Sequence, residues 1–266
     1  MDPILKLLLI LAVGAASIAA LFVPAALRRV RHRRLRQKPF PAEWRAFLED
    51  HLPPYDRLST ESRRELHGLI NIFLGEKHFE GCGGLTLTDE IRVTVAAQAC
   101  LLLLNRPTNV YPKLDSVLVY PSAYTDRHGE GARLGESWTR AGVVVLAWDY
   151  VKGGVQNFED GRNVTLHEFA HRLDQEDGAA DGAPILAEAS AYRTWAAVLG
   201  QEYAALRRRA KKRRRTVIDK YGATNPAEFF AEATVAFFEK GRTLQRKRPD
   251  LYEELKSYYR QDPAEW

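Results

Sequence analysis

The chain has 266 residues, 45% of them hydrophobic, so it can bury a core, and beyond its N-terminal segment it fits one domain of about 230 residues. Its net charge of +5 comes from two runs without acids, residues 28–38 with seven Lys/Arg and residues 207–215 with eight. Subtracting these 15 charges leaves −10 for the rest of the chain. The high pI therefore does not indicate a basic nucleic-acid-binding face, and we expect no nucleic-acid partner.

The two cysteines are isolated in the sequence. Cys82 stands in a glycine-rich stretch and Cys100 in an apolar run, and they form no CxxC pair. This pattern predicts reduced structural thiols and excludes both a disulfide framework and a thiolate zinc site.

An apolar run covers residues 7–27, which are 21 residues without a charge. As a helix the run would reach about 31 Å, enough to cross a bilayer. A cleaved signal peptide is the alternative, but it needs a basic region before the apolar core, and only Lys6 precedes this one. The seven cations that follow the run predict that its C-terminal side faces the cytosol. We therefore expect a single-pass inner-membrane protein, with an anchor and basic linker over residues 1–38 and a cytosol-facing domain over residues 39–266.

Further along the chain, apolar residues at helical spacing predict helices at residues 44–48, 62–74 and 88–104, the last opening with a capping pattern. Runs rich in β-branched residues predict strands at residues 116–120 and 141–148. The second strand is interpreted either as a buried core strand or as a strand that borders a cleft and pairs with an extended substrate.

The most informative pattern is the pentad His167-Glu168-Phe169-Ala170-His171. Positions i and i+4 share one face of a helix, so His167 and His171 can bind one Zn²⁺ at about 2.0–2.1 Å each. Glu168 would then act as general base on the metal-bound water. The pentad is therefore a metallopeptidase signature.

The helix that carries the pentad is expected over residues 164–173, with Asn163 as its cap. Asp174 lies one turn after His171. It is interpreted either as a carboxylate that orients a ligand histidine or as a surface or helix-end acid.

The third zinc ligand has to be a carboxylate if it lies downstream, because no histidine follows His171. A catalytic zinc keeps three protein ligands and an open position, which leaves Glu188, Glu228 or Glu232. The extended metzincin pattern is excluded, since its third histidine is missing and Met1 is the only methionine.

Glu228 and Glu232 lie four residues apart in residues 226–238, a stretch without other charges, so each carboxylate needs a partner. Asn225, Pro226 and Glu228 also resemble a capping box, which would give Glu228 a structural role. Because the metal site lacks a third ligand, a zinc role is favoured for one of the two glutamates.

These residues resemble the Mlc titration factor A family of zinc metallopeptidases, whose site is similar to the catalytic domain of anthrax lethal factor. The resemblance covers nearly the whole chain after residue 39. Besides the pentad it includes Leu87-Thr88-Asp89-Glu90, Val119-Tyr120-Pro121, Tyr221-Gly222-Ala223-Thr224-Asn225-Pro226-Ala227-Glu228-Phe229-Phe230 and Gln261-Asp262-Pro263.

Carried over residue by residue, the resemblance implies one zinc ion per chain and roles for five residues. These are His167, His171 and Glu228 as zinc ligands, Glu168 as general base and Tyr221 as the hydrogen-bond donor to the transition state. It implies zinc-dependent hydrolysis of peptide bonds, aminopeptidase-like on short substrates.

The expected fold class is α+β, a zincin-like metalloprotease domain with helices around a short mixed sheet, preceded by one transmembrane helix. The helices of the pentad and of Glu228 should face each other. Glu232 is then expected beside the ligands or in a structural role.

The chain departs from the family prototype, a soluble protein, by its N-terminal anchor and by residues 207–215. This basic run is interpreted as a solvated loop or helix end, with contact to anionic lipids as the alternative. Nucleic-acid binding is disfavoured because no aromatic residue interleaves the run.

Two functions are thus expected from different classes. The first is a zinc peptidase with a peptide or protein substrate. The alternative is a regulatory protein that sequesters a transcriptional repressor at the membrane, an activity associated with family members. A complete set of ligands and base favours the enzyme.

Overall fold

The computed structural model describes residues 2–4, 23–107, 109–125, 132–133, 135–138 and 142–266. The chain divides into two compact units, Met1–Pro39 and Phe40–Trp266. In the first unit, residues 23–36 form a helix, α1.

The described part of the chain contains no helix that is both long and apolar enough to cross a bilayer. Most of the predicted anchor lies outside the described residues, since residues 5–22 are not among them, and α1 carries six arginines. The predictions of a transmembrane helix and of a single-pass inner-membrane localisation are therefore wrong.

Helices dominate the second unit. They are α2 (Ala42–His51), α3 (Thr60–Glu76), α4 (Asp89–Leu101), α5 (Trp148–Gln156), α6 (Val164–Asp174), α7 (Ala191–Lys211), α8 (Pro226–Glu239), α9 (Gly241–Lys247) and α10 (Pro249–Tyr259).

A small sheet lies among these helices. The strands are β1 (His78–Gly81), β2 (Ser116–Tyr120), β3 (Tyr124–Thr125), β4 (Ala132–Arg133), β5 (Gly135–Trp138) and β6 (Val143–Ala147). The four-stranded sheet has the order β1-β2-β6-β5, while β3 and β4 form a separate antiparallel pair. Strands β1, β2 and β6 are parallel, and Ser116 of β2 pairs with His78 on one side and Val143 on the other; β5 runs antiparallel to β6.

The expected α+β fold with a transmembrane helix is therefore wrong. The described chain is mostly helical, and no strand of the small sheet exceeds five residues. Parallel neighbours need a crossover connection, and α4 supplies one between β1 and β2. The sheet is thus organised around three parallel strands, and a helical crossover joins the first two of them, β1 and β2.

Side-chain caps fix where the main helices begin. Ser59, Thr88, Asn163 and Asn225 each accept a hydrogen bond from a backbone N–H in the first turn of α3, α4, α6 and α8. Each bond satisfies one of the N–H groups that a helix leaves unpaired at its start. The helices predicted at residues 44–48, 62–74, 88–104 and 164–173 are confirmed, as are the Thr88 and Asn163 caps.

The strand predicted at residues 141–148 is shorter in the structure, because Trp148 already begins α5. Residue 141 lies outside the described residues. Strand β6 pairs with β2 on one side and β5 on the other, so its backbone has no free edge. The interpretation as a core strand is confirmed, and the cleft-strand alternative is wrong. Both cysteines are free, as predicted.

Candidate metal centre

Helix α6 packs against an aromatic cluster through Phe169. Phe169 is fully buried, and its ring centroid lies 4.9 Å from that of Tyr111 and 5.7 Å from that of Phe73. The hydroxyl of Tyr111 donates to the carbonyl of Ala99 at 2.7 Å, which fixes the cluster to α4. Helix α6 also packs against α8. Burial of Phe169 therefore sets the rotation of α6.

The pentad histidines meet one carboxylate of α8. Nε2 of His167 and Nε2 of His171 are 3.1 Å apart, and Oε2 of Glu228 lies 3.1 Å from the first and 3.2 Å from the second. In the described residues, these three side chains form a cluster with ligand atoms suited to a metal ion. The structure thus brings together the three residues that the resemblance implies as ligands.

The shape of this triangle fits a metal such as zinc. With bonds of about 2.0–2.1 Å and tetrahedral angles, neighbouring ligand atoms should be about 3.3 Å apart. The three observed separations, 3.1, 3.1 and 3.2 Å, are close to that edge. Two imidazole nitrogens and a carboxylate oxygen that converge on one point are also the donor types zinc accepts.

A second carboxylate supports His167 from the other side of its ring. Oε1 of Glu232 lies 3.1 Å from Nδ1 of His167. Histidines that bind metals usually donate this second ring N–H to an acceptor, which fixes the tautomer and the ring orientation. Glu232 therefore lies beside the candidate ligands.

The two carboxylates also change the protonation of the site. Burial alone would lower the pKa of His167, but its hydrogen bonds to Glu228 and Glu232 outweigh burial and raise its pKa to about 10. Burial would raise the pKa of Glu228, but hydrogen bonds from His167 and His171 lower it to about 2. The two carboxylates thus favour the protonated form of His167.

Glu228 lies in the first turn of α8, yet its carboxylate does not serve as the cap. Asn225 accepts from the backbone N–H of Glu228 at 2.9 Å, and Pro226 occupies the first turn. The Glu228 side chain instead reaches the two histidines. The structural interpretation of its carboxylate as part of a capping box is wrong, although Asn225 is indeed the cap.

The other acids considered for the site lie elsewhere. Glu188 is exposed and accepts from the hydroxyl of Ser190 at 3.2 Å. Asp174 is the last residue of α6 and fully buried, so it is not a surface acid. Burial raises the pKa of Asp174 to about 6, although the backbone N–H of Gly182 opposes this shift.

Glu168 and Tyr221 lie at different depths beside the histidines. Glu168 adjoins His167 on α6 and is only 6% exposed. Tyr221 is 54% exposed, and its ring centroid lies 6.1 Å from that of His167. A buried glutamate and a largely exposed tyrosine thus lie beside the candidate metal ligands.

Three residues that the sequence analysis did not assign hold Tyr221 in place. Asp219 accepts from the backbone N–H of Tyr221 at 2.9 Å, and the Thr224 hydroxyl donates to its carbonyl at 2.6 Å. Gly222 packs against α8, where an added Cβ would lie 3.1 Å from Cβ of Glu232. In the sequence these residues form a short polar turn between α7 and the cap of α8. Their spacing from the pentad gives no indication that this turn lies beside a metal site.

Comparison with known proteins assigns the chain to a metallopeptidase family. Residues 27–260 match the family described as Glucose-regulated metallo-peptidase M90. An uncharacterized protein of Synechocystis sp. is 44% identical over 244 residues, which cover 88% of this chain and 89% of that protein.

Two similar relatives carry the name Mlc titration factor A. The protein of Pectobacterium atrosepticum is 29% identical, over 83% of this chain and 86% of its own length. The protein of Yersinia pestis is 26% identical, over 84% of this chain and 85% of its own length. Because the family match covers nearly the whole chain, from residue 27 to residue 260, the protein belongs to the M90 family of glucose-regulated metallopeptidases.

Proposed function

We propose that this protein is a zinc-dependent metallopeptidase with its catalytic machinery in residues 39–266. The observation that carries the proposal is the convergence of His167, His171 and Glu228, whose three ligand atoms lie 3.1–3.2 Å apart. Membership of the M90 family supports a metallopeptidase. We assign the three residues as the ligands of one zinc ion per chain.

Bound zinc would supply a lowered pKa for the attacking water and a Lewis acid for the substrate carbonyl. Glu168 accepts the proton of that water and passes it to the leaving amine. The hydroxyl of Tyr221 donates a hydrogen bond to the carbonyl oxygen as negative charge develops there. Because Asp219 and Thr224 fix its backbone, Tyr221 is already positioned before substrate arrives.

The substrate class that the resemblance implies is short peptides cleaved in an aminopeptidase-like manner. We propose this class for the present chain as well. It is tested with a pair of short peptides that differ only in a free or acetylated N-terminus. Preference for the free amine supports the proposal, while equal cleavage of both peptides, or cleavage inside the acetylated one, contradicts the aminopeptidase assignment.

The peptidase proposal is tested by the hydrolysis of short peptides by the full chain supplied with zinc. Glu168→Gln should lose at least about 100-fold in kcat, because the amide cannot accept the proton. Glu188→Gln is the matched control, because Glu188 is exposed and bonded to Ser190 outside the cluster. It should keep wild-type turnover. Equal turnover by Glu168→Gln and the wild type would contradict the proposal.

A second candidate function is the binding of a transcriptional regulator. The relatives named Mlc titration factor A cover most of this chain at 26–29% identity, and their name describes titration of Mlc. We propose binding of Mlc or a similar regulator as an alternative that is compatible with peptidase activity. Co-purification of the full chain with Mlc tests it, and it should persist in Glu168→Gln if binding is independent of catalysis.

A further inference from the structure

The basic run at residues 207–215, here called the basic segment, is a structured turn at the end of α7. Helix α7 continues to Lys211, so the segment is a helix end followed by a turn. Arg213 has a left-handed φ of 50°, and its N–H donates to the carbonyl of Ala210 at 2.9 Å. The Arg209 guanidinium donates to the carbonyl of Arg215 at 3.2 Å. These bonds fold the cations into one patch.

The patch concentrates positive charge that forms no ion pair within the part of the chain that the structure describes. Seven of its eight Lys/Arg side chains are exposed, and Arg209 is half-buried. Among the ion pairs of the described residues, none involves the basic segment. Like charges this close repel one another, so an anionic partner would relieve the repulsion.

The basic segment begins beside the candidate metal centre. A Cβ on Gly222 would lie 3.3 Å from Cδ2 of Leu206, the residue that precedes the segment. The turn that carries Tyr221 therefore rests on the end of α7. From Arg215 the chain needs six residues to reach Tyr221, a span of at most about 20 Å. The basic segment thus starts at the end of the helix against which the turn of Tyr221 packs.

We propose that the basic segment binds acidic side chains of the peptide substrate and makes the enzyme selective for acidic peptides. The proposal rests on the peptidase function, because the segment adjoins the site at which the peptide would be cleaved. Nucleic acid is the disfavoured occupant. Single strands are held by stacking on aromatic side chains, and residues 207–215 contain none.

Electrostatic attraction of this kind acts on association. A positive rim raises the local concentration of an acidic substrate and leaves the bond-breaking step unchanged. It should therefore lower KM without raising kcat. Because exposed charges are screened beyond a Debye length of about 8 Å at physiological ionic strength, the preference should fade as salt is added.

The test uses two fluorescein-labelled peptides of equal length, one with four glutamates and one with glutamines in their place. Binding to the full chain is measured by anisotropy in the Glu168→Gln background, which separates binding from turnover. Lys212→Glu/Arg214→Glu reverses two charges of the basic segment. Arg246→Glu/Lys247→Glu is the matched control, because both residues are exposed at the end of α9, beyond the opposite end of α8 from Glu228.

We expect the acidic peptide to bind about tenfold more tightly than the neutral one at low salt. Reversal at Lys212 and Arg214 should remove most of this preference, while the control variant keeps it. In enzyme that keeps Glu168, and so can turn over substrate, Lys212→Glu/Arg214→Glu should raise KM for the acidic peptide. It should leave kcat for the neutral peptide unchanged. Thermal unfolding of both double variants shows whether each remains folded, and Lys212→Gln/Arg214→Gln should give an intermediate affinity.

Equal binding of the two peptides, or equal loss in both double variants, would overturn the proposal. So would tighter binding of a single-stranded oligonucleotide of the same charge. Failure of the peptidase function looks different, because the wild type would then bind the acidic peptide through the basic segment yet hydrolyse neither peptide. Hydrolysis of both peptides with the same KM would instead support the peptidase function and contradict the selectivity for acidic peptides.

Discussion

Oε1 of Glu232 lies 3.1 Å from Nδ1 of His167, while Oε2 of Glu228, one turn earlier in α8, lies 3.1 Å from Nε2 of the same ring. Two carboxylates of one helix therefore hold both nitrogens of one imidazole. Glu232, the outer carboxylate, accepts from Nδ1 and can keep the proton on that nitrogen. The lone pair of Nε2 is then directed at the ligand cluster. This division of roles distinguishes Glu228 from Glu232 although both lie on the same face of α8.

Removal of the outer carboxylate should weaken the metal site without removing a ligand. We expect Glu232→Ala to lower zinc affinity by about 10- to 100-fold, because His167 loses the partner that fixes its tautomer and orientation. Competition with a chelator measures the affinity. Glu188→Ala is the control and should bind zinc as the wild type does. Unchanged affinity in Glu232→Ala would show that the contact does not support the site.

Loss of the Tyr221 hydroxyl should affect catalysis rather than metal binding. We expect Tyr221→Phe to lower kcat by about 100-fold, as removal of one donor to the developing oxyanion does. KM and zinc content should change little, because the ring and the backbone bonds to Asp219 and Thr224 remain. Tyr150→Phe, at another exposed tyrosine, is the control. Wild-type kcat in Tyr221→Phe would refute the donor role.

Zinc binding should release a proton at neutral pH. The pKa of His167 is raised to about 10 in the metal-free site, so the ring is protonated at pH 7, whereas a zinc ligand must be neutral. About one proton should therefore leave per zinc bound. Apparent affinity should rise about tenfold per pH unit between pH 6 and 8. Calorimetry in buffers of different ionisation enthalpy measures the release, and heats that do not depend on the buffer would contradict it.

Stability should depend on pH through a buried glutamate far along α8 from the ligands. Burial raises the pKa of Glu239 to about 8, although hydrogen bonds from Asn163 and from the backbone of Gly161 oppose the shift. The pKa of Glu239 in the folded state exceeds its unfolded value of about 4.5. The free energy of unfolding that depends on Glu239 is therefore fully present below pH 4.5 and is lost as pH rises toward 8.

Glu239→Gln cannot ionise, so it should be free of this loss. Between pH 4.5 and 8, the free energy of unfolding of the wild type should fall relative to the variant by up to about 5 kcal/mol. Urea unfolding at several pH values measures the difference. Glu253→Gln, at an exposed position of α10, should follow the wild type. Parallel pH curves for Glu239→Gln and the wild type would contradict the assignment.

The sequence was most informative where one short segment carries both the structure and the chemistry. The pentad predicted α6, since the Asn163 cap and the 3.6-residue period act locally. Spacing could not decide between Glu228 and Glu232, because both lie on one face of the same helix. The choice depends on how far α8 is displaced along α6, which is set by packing between the helices.

Other features depend on contacts that a single sequence does not reveal. Strand β1 has only four residues, and Phe79 is the only large apolar side chain among them, so its parallel pairing with β2 was not predicted. Tyr221 reads as a packing tyrosine until Gly222 is seen to bring its turn against α8. The matched segment Gln261-Asp262-Pro263 proves to be structural, because Gln261 donates to the Leu101 carbonyl at 2.9 Å and so ties the chain's last residues to α4.

The most direct measurement is the zinc content of the full chain after equilibration with zinc and removal of the excess. We predict about one zinc per chain in the wild type and in Glu168→Gln, and a much lower content in Glu228→Gln, because only the last variant loses one of the proposed three ligands. A wild type without bound zinc, or Glu228→Gln with the same content as the wild type, would contradict the proposed metal centre.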